Sequence, residues 1–245
     1  MVDTMKQVEE TIDALVKELA CLDFSPPVEF VYNPLIYAHS AHMGYWQSFG
    51  CPPKEIMFLG MNPGPWGMVQ SGVPFGDVGM VREWLGLCEP VDQPERVHPN
   101  RPVQGPACPR AEISGRRLWG WARSRFGTPH AFFRRFWVAN YCPLAFMEAS
   151  GRNRTPDKLP RHEKEPLLNA CDLALLRIVA IVRPRIVVGV GRFATQQAQR
   201  ALARTDVKVG QITHPSPANP RANAGWETLM ETELAALGIE IKSAD

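Results

Sequence analysis

Short, almost wholly apolar runs that end at glycine- or proline-rich corners constrain this chain more than any other feature. "EIMFLG" at 55–60 and "RIVVGV" at 185–190 have strand length, and neither alternates polar with apolar residues. A strand of that kind must be covered on both faces, which is the situation inside a parallel sheet flanked by helices. "FWVANYCPL" at 136–144 and "VKVGQIT" at 207–213 read as further strands. Helical spacing fills the intervals. Val8, Ile12, Leu15, Val16 and Leu19 mark a first helix, and Pro34 suits the first turn of a second, short one. "DVGMVREWLGL", "GRRLWGWARSRFG", "PLLNACDLALLRIVAIVRP", "GRFATQQAQRALA" and "NAGWETLMETELAAL" follow, while the proline-dense stretch 88–114 is expected to be loop. Alternating strands and helices predict a three-layer α/β/α fold with a short, mainly parallel central sheet. The expectation is one domain over 1–245, with an acidic N-terminal helix at about 3–22 outside the motif-bearing core.

In such sheets ligands bind beyond the carboxyl ends of the strands. "GMNPGPWGM", "NYCPL", "GVGRFA" and "THPSPANP" each stand just after a predicted strand, so one rim carries all of them. Glycine and proline at the density of "GMNPGPWGM" pin a backbone into one shape, and Asn62 is that loop's polar instrument. In "HPSPANPRANAGW" three prolines stiffen the chain beyond His214. "GVGRFA" matches half of a dinucleotide-binding fingerprint, but only Asp206 could supply the expected acid; a close helix–strand turn fits better.

Charge is uneven. Residues 1–50 hold two lysines against seven acids, whereas residues 101–161 hold eleven arginines and one lysine against Glu112, Glu148 and Asp157. Arginine alternating with aromatics in "GRRLWGWARSRF" and "FFRRFW" suits a polyanion, nucleic acid above all; an ordinary helix with a wet arginine face gives the same pattern. No apolar run approaches the roughly 18 residues of a membrane span. The acidic amphipathic start resembles neither a signal nor a transit peptide, so an intracellular protein is expected, in cytoplasm or nucleoid if bacterial and in the nucleus if eukaryotic. The six cysteines include no C-x-x-C pair, and free thiols are expected, with a ligand set drawn from distant loops left open. No Walker lysine motif, zinc-deaminase signature or H-E-x-x-H occurs.

Taken in order, "GMNPGPWGM", "GVPFG" at 72–76, "NYCPL" and "HPSPANPRANAGW" resemble the signature segments of the single-strand-selective monofunctional uracil-DNA glycosylases, over about 57–226. The resemblance implies the uracil-DNA glycosylase fold. It implies a hydrolase that removes uracil, and bases of the 5-hydroxymethyluracil type, from single- and double-stranded DNA and leaves an abasic site. Asn62 then matches the water-positioning residue and His214 the donor to uracil O2. Phe75 matches the stacking floor, Asn140 the selector amide, Gly64 the small residue beside C5, and Met61 a backbone contributor. Ser216, Pro217 and Ala218 fall in the intercalating loop, where relatives commonly carry arginine at the position of Ala218; Arg221 is the nearest substitute. No lysine falls at a matched catalytic position, so no lyase step, cofactor or metal is expected. The expected partner is DNA containing uracil or modified uracil, with no membrane and no obligatory protein partner, the chain acting as a monomer. Rival readings are a same-fold glycosylase for mismatched thymine/uracil or for xanthine/hypoxanthine, and a damaged-DNA binding module without catalysis.

Overall fold

The computed structural model describes residues 2–241. In chain order the elements are α1 (Val2–Ala20), β1 (Phe30–Tyr32), α2 (Pro34–Tyr37), α3 (His39–Phe49), β2 (Ile56–Gly60), α4 (Met68–Ser71), α5 (Val78–Met80) and α6 (Ile113–Phe126). Then come α7 (Pro129–Phe133), β3 (Phe136–Asn140), β4 (Ala145–Met147), β5 (Asn153–Arg154), α8 (Arg161–Val182), β6 (Ile186–Val190), α9 (Arg192–Ala201), β7 (Lys208–Ile212), α10 (Pro220–Asn223) and α11 (Trp226–Ala236).

The central sheet is parallel with strand order β3-β2-β6-β7. Every residue of β2 and of β6 is buried, as their unbroken apolar sequences require. Neighbouring residues of β3 serve opposite layers: Phe136 packs on Trp121 of α6, whereas Trp137 stacks on Tyr45 of α3 at 4.5 Å. α7 wraps the open β3 edge, its Phe132 stacked on Phe136 (4.8 Å) and its Phe133 on Phe49 (4.2 Å). β1, β4 and β5 form a separate antiparallel sheet that the sequence does not announce.

Two local expectations differ from the structure. "DVGMVREWLGL" is a short α-turn at Val78–Met80 that loosens into a π-turn over Val81–Leu85 and stops at Gly86, φ +70°. α8 starts at Arg161 and contains Pro166 rather than starting at it. The acidic α1 lays Val8, Ile12, Leu15 and Leu19 into the same hydrophobic cluster as the sheet, and it lies along α8.

Candidate active site

At the carboxyl rim of the central sheet a cavity of about 320 Å³ is lined by Met61, Asn62, Gly64, Phe75, Asn140, His214 and Ser216, with Glu112 and Thr155 beside them. Asn62 and His214 are 152 positions apart in the chain. They converge because β2 and β7 end on the same edge of a parallel sheet.

The corner after β2 is locked onto the one after β3. Tyr141 N–H donates to the Gly60 carbonyl (2.9 Å) and Cys142 N–H to that of Met61 (2.9 Å), so the ladder continues past the strand ends. Asn62 Nδ2 donates to the Leu144 carbonyl (3.0 Å), which fixes the amide's orientation and leaves Oδ1 as an acceptor on the cavity side. Gln70, 1% exposed, ties the outer part of the loop by donating to the carbonyls of Pro65 (3.0 Å) and Pro102 (3.1 Å). Trp66 is covered by two guanidinium groups, Arg110 at 4.5 Å and Arg101 at 5.0 Å, which gathers positive charge on the first loop.

Phe75 takes φ +54°, a left-handed conformation uncommon for a bulky residue. Its carbonyl accepts from Trp119 Nε1 (3.0 Å) and from Asp77 N–H (2.8 Å). A side chain at Gly115 would collide with that same oxygen, so α6 is pressed against the turn. The surroundings over-determine the strained residue, and its ring lies 6.2 Å from that of His214. Gly60 serves both partners, because a Cβ there would strike Asn140 Oδ1 and the Phe75 ring.

His214 is half-buried, and burial lowers its pKa to about 4. The Ser216 N–H donates to His214 Nδ1 (3.0 Å), so the neutral ring carries its proton on Nε2. A neutral donor at a stiff corner results. Gly191, φ +89°, lets this corner approach, since a Cβ there would meet His214 Cβ at 3.1 Å. Gly189 lies directly beneath Thr195 of α9, so "GVGRFA" is the tight helix–strand turn favoured above.

Pro217, Ala218 and Arg221 are exposed and do not line the cavity. Arg221 reaches Glu233 at 3.5 Å through a largely solvated side chain, a weak tie that phosphate could replace. Arg117 donates to the Pro215 carbonyl (2.9 Å) and to Asn223 Oδ1 (2.8 Å), while Asn223 Nδ2 donates to the Pro217 carbonyl (2.8 Å). The loop is thus braced from α6. Sequence reasoning missed Glu112, Gln70, Arg117 and Thr155; the sole hint was Glu112 as one of few acids in an arginine-rich stretch. Among the described residues no group of His, Cys, Asp and Glu could hold a metal ion, and no helix is long and apolar enough to cross a membrane.

The family model of the uracil DNA glycosylase superfamily matches residues 47–233, a span that includes both the amide corner and the imidazole corner. The single-strand-selective monofunctional uracil-DNA glycosylase of Rattus norvegicus is 50% identical over 224 residues, covering 91% of this chain and 81% of the relative. The Bos taurus protein of the same description shows the same identity, with 82% of its length covered. A crystal structure of wild-type Pedobacter heparinus SMUG2 shares the fold, with a TM-score of 0.64 at 14% identity over 93% of this chain and 97% of that one. This chain belongs to the uracil DNA glycosylase superfamily and, within it, to the single-strand-selective monofunctional uracil-DNA glycosylases.

Proposed function

We propose that this protein hydrolyses the N-glycosidic bond of uracil, and of 5-hydroxymethyluracil-type bases, in single- and double-stranded DNA, leaving an abasic site. One observation carries the reading: Asn62, His214, Phe75 and Asn140, scattered along the sequence, line one cavity. A base in a duplex must be flipped to reach such a cavity. Its ring would stack on Phe75, with the Asn140 amide accepting from N3–H and donating to O4. Cytosine presents the reverse pattern, so an amide held in one orientation rejects it.

Bond cleavage leaves an oxocarbenium-like sugar and a uracil anion. The Nε2–H of neutral His214 supplies a fixed donor for the charge gathering on O2, an interaction worth about 3 kcal/mol when well aimed. Asn62 Oδ1 holds water beneath C1′ but is too weak a base to activate it strongly, so bond breaking runs ahead of water attack. Among the described residues no lysine lines the cavity.

The test is incubation with a uracil-containing oligonucleotide followed by alkali, which cleaves at abasic sites. Alkali-dependent scission at uracil alone is expected. Binding to the same strand without scission would instead establish a damage-binding module.

A further inference from the structure

Among the described residues that line the cavity there is one acidic group, Glu112, for which that reaction has no use. Glu112 is the residue just before α6, and its side chain turns in under the first loop. A Cβ at Gly64 would lie 2.5 Å from Glu112 Oε2, and one at Gly67 would lie 3.0 Å from its Cγ. The space beside Gly64, expected to be open, is therefore bounded by a carboxyl group, and both glycines make room for it. Asp77 fixes the backbone there by accepting from Glu112 N–H (2.9 Å). Burial raises the Glu112 pKa, with Asp77 adding to the rise, while hydrogen bonds from Ser114 act against it. The start of the 14-residue α6 also favours the ionised form.

The position of Glu112 relative to a bound base follows from the fixed amide. Asn140 Nδ2 points to Met68 Sδ (3.4 Å), so the O4 end of a pyrimidine read by that amide lies on the Met68 side. C5 is bonded to C4 and lies across the ring from O2, which faces His214. A C5 substituent therefore projects toward the Gly64–Met68 wall, where the ionisable side chain is Glu112. We infer that Glu112, given the excision reaction proposed above, is the specificity-determining residue for position 5. Its carboxylate accepts a hydrogen bond from a hydroxyl-bearing substituent and repels an anionic one.

Single-stranded oligonucleotides carrying uracil, 5-hydroxymethyluracil or 5-carboxyuracil, assayed at pH 8, test this. For each enzyme the readout is kcat/KM relative to its own value on uracil. Glu112→Gln keeps the shape and removes the charge, so the 5-carboxyuracil ratio should rise by about tenfold or more. Glu112→Ala removes the acceptor, so the 5-hydroxymethyluracil ratio should fall about tenfold. Ratios unmoved in both variants, with uracil still excised, would overturn the role of Glu112 alone. Absence of uracil excision by the unaltered protein would overturn the reaction itself, and this inference with it.

Discussion

Each glycine of the corner after β2 has a neighbour that demands it. Gly60 yields to Asn140 and Phe75, and Gly64 and Gly67 yield to Glu112. A methyl group at 60 has nowhere to go, so Gly60→Ala should cost about 1–3 kcal/mol of stability, read as a lowered denaturation midpoint. Asn62→Ala removes the proposed water holder without touching the outer surface. It should lower excision at least about a hundredfold while leaving the affinity for uracil-containing DNA nearly unchanged, as checked by anisotropy. His214 stays neutral until the pH nears about 4. The pH–rate profile should consequently show no inflection near the ordinary histidine value of 6.5; one that vanished in His214→Gln would contradict the neutral-donor assignment. The two corners were legible in sequence because their glycine and proline density is conspicuous, whereas the roles proposed for Asn62 and His214 came from the resemblance. Glu112 was not legible, since nothing in "PRAEIS" says where that carboxyl will point.

At the scale of elements, the loop after His214 is held by α6 through Arg117, which grips both Pro215 and Asn223. With alanine at 218 the loop has no long cationic side chain there to occupy the gap left by a flipped base, so its shape matters more. Arg117→Ala should lower kcat/KM on fully paired duplex more than on single strands, because only the duplex requires unstacking. Arg117→Lys should recover part of it. An equal loss on both substrates would mean that Arg117 serves the fold and not the loop. β2 and β6 were readable because continuous apolar runs bounded by glycine have few other uses, and β3 and β7 because short runs rich in β-branched and aromatic residues end at turn-forming corners. β1, β4 and β5 were not: each is only 2–3 residues long, and their pairing is set by distant contacts. α3 was missed for another reason. Its buried face takes in His42 and Gly44 beside Met43, Tyr45 and Trp46, so polar and small residues blur the apolar stripe.

Among the described residues burial lowers the pKa of two histidines, His42 and the half-buried His214. His42 Nδ1 donates to the Gly72 carbonyl (2.9 Å) and its Nε2 accepts from Trp46 (3.2 Å), with burial lowering its pKa to about 4, as for His214. Above pH 6.5 neither state binds these protons and stability is unaffected by them. As pH falls from 6.5 toward 4 the unfolded chain takes up protons that the folded one refuses, so stability falls with pH in that window. His42→Gln should flatten the slope of the melting temperature between those limits, and an unchanged slope would contradict the assignment. The layered architecture could be anticipated from sequence because it depends on pattern; the fitting of α1 against α8 could not, because two apolar stripes do not name each other. The central claim is the convergence of two remote corners on one nucleotide. A crystal structure with a strand carrying 2′-fluorinated deoxyuridine, whose glycosidic bond resists cleavage, measures it directly. The expected result is a flipped uracil on Phe75, with O2 at hydrogen-bond distance from His214 Nε2 and a water held by Asn62 beneath C1′. A uracil bound elsewhere, or one with His214 and Asn62 out of reach of base and sugar, would contradict the account.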